Sequence, residues 1–141
     1  MIILDTNVLS EILRPVPDEH VISWLAAQPR TTLFTTTVTR AELLYGAQLL
    51  PEGPRKTALL AAIRQIFTHD LSGQVLGFDN EAADHYAELA AERKNSGKPI
   101  SQFDAMIAAI TQSRGARLAT RNVKDFVDCR LEIIDPWSVT L

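Results

Sequence analysis

The sequence predicts an α/β protein, one domain built on a central, mostly parallel sheet flanked by helices. Three observations predict it. Short apolar runs such as Ile2–Leu4 stop abruptly at a polar residue, as strands buried on both faces do. Segments of helical pattern separate those runs one after another, the alternation that parallel pairing requires. A chain of 141 residues, 46% hydrophobic and 22% charged, suits one core, and no repeat, linker or composition shift divides it. Residues 1–141 therefore read as a single domain.

The elements follow in order. Ile2–Leu4 reads as the first strand. Asp5, Thr6 and Asn7 are all helix-capping types, and a short helix is expected over 8–13, ended by Pro15 and Pro17. Asp18 can cap a second helix carrying Val21, Ile22, Trp24 and Leu25 up to Pro29. Leu33–Thr36, rich in Thr and Phe, reads as a strand. Helices are expected over 38–50 and 55–67, with the turn at 51–54 between them. Residues 74–78 give a third strand. Asp79 then caps a long helix with Ala82, Ala83, Tyr86, Leu89 and Ala90 at helical spacing. After a break at 95–99, a helix over 101–113 is closed by Gly115. Short strands at 117–120 and 131–134 complete the pattern, and Pro136 and Trp137 end the ordered chain.

Composition narrows the function. A net charge of −3 argues against a broad basic surface that grips nucleic acid by charge alone. A lone cysteine, Cys129, excludes an internal disulfide and a Cys-x-x-Cys zinc site, and reads as a free thiol. No apolar stretch is long enough to cross a membrane, and the first residues lack the basic start of a signal peptide. The expected compartment is the cytoplasm.

The carboxylates carry the functional signal. In open α/β sheets ligands bind beyond the carboxyl ends of the strands. Asp5 ends the first strand, Glu42 lies on the helix after the second, Asp104 lies on the helix before the fourth, and Thr120, Arg121 and Asn122 follow that strand. Glu42 sits in an apolar helix with Gly46 at i+4, which leaves room beside it. Asp104 has Ile100, Ile107 and Ala108 as its helical neighbours and no Lys or Arg at i±3 or i±4. A carboxylate on such a face is costly unless paired or bound to metal. Clustered carboxylates raise one another's pKa, and a divalent cation with a preference for oxygen, Mg²⁺ or Mn²⁺, resolves the repulsion. Taken singly, Asp5 and Asn7 are equally well explained as helix-capping residues, Glu42 as a solvated one and Asp104 as a structural one.

Together these residues resemble the motifs of PIN-domain ribonucleases. Leu4-Asp5-Thr6-Asn7-Val8-Leu9-Ser10-Glu11 is similar to the opening signature, and Thr39-Arg40-Ala41-Glu42-Leu43 with Gly46 to the second motif. Asp104-Ala105-Met106-Ile107-Ala108-Ala109 resembles the third. Leu118-Ala119-Thr120-Arg121-Asn122 with Phe126 resembles the fourth, and Ile134-Asp135-Pro136-Trp137 the closing strand and turn. The nearest group is the VapC-type toxins of bacterial toxin–antitoxin pairs, including the FitB-like branch. The resemblance implies a Mg²⁺- or Mn²⁺-dependent endoribonuclease, with Asp5, Glu42 and Asp104 as catalytic metal-binding carboxylates, Glu42 serving as a ligand or as a base acting through water. Thr6, Asn7 and Thr120 would hold the carboxylates or the phosphate, and Arg121 reads either as a phosphate contact or as a solvated surface arginine. The family usually has an Asp where this chain has Asn122. That departure leaves a second metal in question, with Asp125 as a substitute three residues on.

Implied partners are an RNA substrate, a cognate antitoxin laid in a groove between the helices at 18–28 and 38–67, and a second copy of the chain. DNA would be reached only through the antitoxin. The competing reading is a catalytically weak PIN-like binding module acting only through its antitoxin and DNA. An unrelated α/β phosphatase or nucleotide-binding protein is disfavoured because no Gly-rich phosphate loop of the Walker or dinucleotide type is present. The remaining candidates read as structural: His20, His69 and His85 without metal spacing, Trp24 and Trp137 as core or interface residues, Arg55, Lys56 and Arg64 as a solvated face, and Glu92, Arg93 and Lys94 as a charged helix end.

Overall fold

Ile2–Leu4 forms strand β1 at the centre of the sheet, as a fully apolar run should. In the computed structural model, which describes residues 1–139, β1 pairs with β2 (Leu33–Thr36) on one side and β4 (Arg117–Ala119) on the other. β3 (Val75–Leu76) lies outside β2, and β5 (Ile133–Ile134) outside β4. The order is β3-β2-β1-β4-β5 and every described pairing is parallel, so the sheet is wholly rather than mostly so. Both edge strands are two residues long, shorter than the sequence pattern predicts. Short edges leave little unpaired backbone for another chain to join. The last two residues of the expected domain, 140 and 141, lie outside the described residues.

Alternation along β1 builds two cores. Ile2 and Leu4 join Val8, Leu9, Val21, Trp24, Leu43 and Ile63 on one face, while Ile3 joins Ala82, Leu89, Ile107, Ile110 and Leu118 on the other. The first face is covered by α1 (Thr6–Ile12), α2 (Glu19–Ala27), α3 (Thr37–Gln48) and α4 (Pro54–Gln65), the second mainly by α5 (Asn80–Asn95) and α6 (Gln102–Ser113).

Polar residues ahead of the helices start them as expected. Asp18 accepts from the His20 N–H, Asp79 from Ala82 and Ser101 from Asp104, at 2.8, 2.9 and 3.2 Å. Three starts come earlier than the pattern predicts, α4 by one residue at Pro54. α1 begins at Thr6 because Asp5 caps it, and α3 begins at Thr37 because the Thr36 hydroxyl accepts from the Thr39 N–H. α4 does not run to 67. At Ile66 it widens into a π-turn, Ile66–Asp70, which buries the adjacent Ile66 and Phe67 together.

Two charged segments differ from the solvated faces expected of them. Lys56 is buried: its Nζ donates to the Gln48 carbonyl at 3.1 Å and to Glu52 at 2.6 Å, tying the start of α4 to the end of α3. Arg93 is only 7% exposed. Its guanidinium donates to the carbonyls of Lys98, Asp125 and Val127 and to the Sγ of buried Cys129. Both satisfy main-chain acceptors that loops would otherwise leave unpaired.

Candidate active site

β1 and β4 are neighbours, yet the sheet grows from them in opposite directions, to β2 and β3 and to β5. That is the topological switch point, where the carboxyl ends of two strands part and leave a crevice. Asp5 stands at its floor. Its backbone N–H donates to the Ala119 carbonyl at 3.0 Å, which continues the β1–β4 ladder by one residue. Its carboxyl accepts the Thr6 N–H at 2.8 Å and the Thr120 hydroxyl at 2.7 Å. Asp5 is thus the helix cap and the floor of the crevice at once.

Around it the polar residues after β1 and β4 form one network. Thr120 Oγ1 receives the Asn7 amide at 3.2 Å and the Asn122 N–H at 3.1 Å while it donates to Asp5. Asn7 Oδ1 accepts the Arg121 N–H at 3.3 Å. Glu42 reaches in from α3, where its Oε1 accepts the Thr6 hydroxyl at 2.8 Å. The single proton of that hydroxyl is committed to Glu42, so the Thr39 hydroxyl, 3.0 Å away, is the donor to Thr6. Asp104, half-buried in the first turn of α6, lines the same crevice, a cleft of 440 Å³ with Asp5, Glu42, Arg121 and Asn122 also in its wall.

Electrostatics mark the carboxylates. Burial raises Asp5 from 3.8 to about 6, against the lowering effect of the Thr120 and Thr6 hydrogen bonds, and the charges of Asp104 and Glu42 add to the rise. Burial also raises Asp104; the Ser101 hydroxyl opposes it, and the charge of Asp125 adds to it. Among the described residues no Lys or Arg forms an ion pair with Asp5, Glu42 or Asp104. Nor do three His, Cys, Asp or Glu side chains there stand close enough to clasp an ion unaided. The arrangement is an open crevice faced by three carboxylates that no Lys or Arg pairs among the described residues, Asp5, Glu42 and Asp104.

The comparisons meet this geometry. The sequence matches the PIN domain family over residues 2–128. The chain belongs to the PIN domain family. Among its relatives, the VapC ribonuclease Y4jK of Sinorhizobium fredii is 41% identical over 97% of this chain and 98% of the relative. Toxin FitB of Neisseria gonorrhoeae is 36% identical over 97% and 99%. A solved structure of FitAB bound to a DNA fragment superposes with a TM-score of 0.92 at 34% identity, over 100% of this chain and 99% of that one.

The PIN domain fold brings every expected site residue to one crevice: Asp5, Thr6, Asn7, Glu42, Asp104, Arg121 and Asn122 line it, and Thr120 lies beneath, fully buried. Asp125 stands apart on a 3₁₀ turn, Val123–Phe126, and bears on the site through Asp104. Sequence reasoning missed Ser10, Glu11 and Arg14, which share the Asn7 face of α1 and its following turn at i+3, i+4 and i+7. That spacing was the available signal. Glu11 is buried but not a free acid. It accepts the Asp18 N–H and the Arg14 guanidinium, and the Asp18 bond first, then Arg14, hold its carboxyl below the usual range. Trp137, expected in the closing turn as a core or interface residue, also stands in the wall of the crevice.

Proposed function

We propose that this PIN domain is the ribonuclease toxin of a toxin–antitoxin pair, working in the cytoplasm and hydrolysing RNA phosphodiester bonds with Mg²⁺ or Mn²⁺ held by Asp5, Glu42 and Asp104. The observation that carries it is the convergence of three carboxylates, none paired with Lys or Arg among the described residues, at the switch point of the sheet. Mg²⁺ keeps several waters and takes one or two carboxylates plus substrate phosphate, so an open crevice suits it better than a closed cage. A bound ion supplies charge that acidifies a water and offsets the negative charge gathering on the phosphate.

The chain's own residues prepare the crevice. Thr120 and the Thr6 N–H fix both oxygens of Asp5. Thr6 fixes one oxygen of Glu42, a residue of the cleft wall, and leaves the other to take a water or an ion. With its pKa near 6, Asp5 gives up its proton readily when a cation arrives. A binding module without catalysis has no use for a buried acid facing the charges of two others, which disfavours that alternative.

The antitoxin site in this reading is a groove of 700 Å³ lined by Leu13, Pro15, Leu43, Ala47, Leu59 and Ile63. It runs between α1, α3 and α4, not beside α2 as the sequence had suggested. Thr6, Ser10, Arg14 and Glu42 belong to both groove and cleft, so an apolar peptide seated there reaches the acids. DNA is then reached through the antitoxin. Tyr45 and Leu49, one turn apart on α3 and its end and each 68% exposed, offer apolar surface to a second copy. Light scattering of the isolated chain checks the dimer, and a monomer at every concentration contradicts it.

The test of the activity is cleavage of single-stranded RNA with Mg²⁺, with EDTA, and with Mg²⁺ restored. Chelation should abolish cleavage and the ion restore it. Asp5→Asn and Asp104→Asn should each lose at least ~100-fold in rate while keeping their circular dichroism, since carboxylate-to-amide changes charge and not shape. Cleavage undiminished by EDTA sinks the reading.

A further inference from the structure

An acidic crevice repels the polyanion it is proposed to cut, so some cation must offset the acids. Two arginines line the cleft, Arg14 and Arg121. Arg14 is occupied: its Nη1 lies 3.1 and 3.2 Å from the two carboxylate oxygens of Glu11. Arg121 forms no ion pair among the described residues. Its guanidinium lies instead over the indole of Trp137, with Cζ 5.2 Å from the ring centroid.

Both ends of this pair are fixed. The Arg121 N–H is held by Asn7 Oδ1, and the Trp137 N–H by Asp135 Oδ1 at 3.0 Å, while the indole packs against the core. A guanidinium resting on a ring spends its face there, and its N–H groups, at the edge, remain available. That edge is a fork matched to two oxygens of a phosphate. Cation–π contact also restricts a long side chain at no cost in charge, which lowers the entropy lost on binding.

We propose that Arg121, held by stacking on Trp137, grips a backbone phosphate of the RNA strand in the acidic cleft, and that Trp137 is the positioning residue for that contact. The proposal rests on the ribonuclease reading above.

Steady-state cleavage of a short fluorescent single-stranded RNA in Mg²⁺, at several salt concentrations, tests it. Arg121→Ala should raise KM roughly tenfold and lower kcat less, as loss of a charge-assisted contact made before chemistry does. The slope of log KM on log salt should fall by about 0.7, the share of one phosphate on a single strand. Trp137→Leu removes no charge, yet it should raise KM comparably, and the double variant should go no higher than Arg121→Ala. Arg121→Lys, which keeps the charge without the planar fork, should fall between. Trp137→Phe keeps a ring and should stay near wild type, which guards against a folding defect in Trp137→Leu. Additive effects of the two residues would assign Trp137 to an independent role such as base stacking and overturn the proposal. A wild type that cleaves, with KM unmoved by Arg121→Ala, overturns this inference alone. A wild type that does not cleave RNA overturns the ribonuclease reading with it.

Discussion

Asp5 answers two demands at once. It caps α1 and closes the β1–β4 ladder, which are structural tasks, and it sits 3% exposed in a crevice where the charges of Glu42 and Asp104 bear on it. The second demand costs stability when no cation is bound. Its pKa is raised from 3.8 to about 6, so between those values the folded state holds more proton than the unfolded. Stability from this group is therefore full below pH ~4 and lost as pH rises through ~6, a loss of up to ~3 kcal/mol at neutral pH. Asp5→Asn should accordingly raise the melting temperature of the metal-free protein at pH 7.5, by a few degrees per kcal/mol recovered, and raise it hardly at all near pH 4. Equal shifts at both pH values would contradict the burial argument. Asn122 tests the other side of the same charge balance. It stands where the resemblance to the fourth motif implies an acid, and it lines the cleft. Asn122→Asp should tighten divalent-ion binding by about 1 kcal/mol in a partly solvated site, read by calorimetry. Unchanged affinity would place residue 122 outside the ion's reach.

The secondary elements were legible where the cause was local. Asp18, Asp79 and Ser101 cap because a side-chain oxygen can reach the N–H of a residue two or three positions on, and that is written in the sequence. Strands buried on both faces announce themselves as apolar runs. Features with a distant cause were not legible. No local pattern says that α4 widens at Ile66, because the reason is the core that Ile66 and Phe67 enter. Arg93 looked like the charged end of α5, yet its partners are 5 to 36 residues away. Removing it leaves several buried acceptors without donors, so Arg93→Ala should cost ~2–4 kcal/mol in urea unfolding. Arg130→Ala, which deletes an exposed ion pair with Glu92, should cost less than ~0.5 kcal/mol. A comparable loss in both would deny Arg93 its role in holding the loop after the Val123–Phe126 turn.

At the scale of the whole molecule, the site exists because of topology. Asp5, Glu42, Asp104 and Thr120 are up to 115 residues apart and meet only because β4 returns beside β1 after α6. The rule for parallel sheets foretold where they would meet, and so the acids were readable from the sequence. Glu11 and Trp137 stand in the quoted motifs but were not placed in the site, since one owes its place there to the face of α1 and the other to the turn after β5. The groove beside the cleft is likewise a product of assembly, as it is lined by α1, α3 and α4 together. A peptide filling that groove should inhibit RNA cleavage through the shared residues Thr6, Ser10, Arg14 and Glu42, and inhibition should weaken in Leu59→Asp, which places a charge on the apolar wall. The central claim is that Asp5 and Asp104 hold a divalent ion in this crevice, and titration calorimetry with Mn²⁺ tests it most directly. Wild type should bind with a saturable isotherm, and Asp5→Asn and Asp104→Asn, both folded by circular dichroism, should lose most of that affinity. Mn²⁺ binding of equal strength in all three proteins would contradict the account.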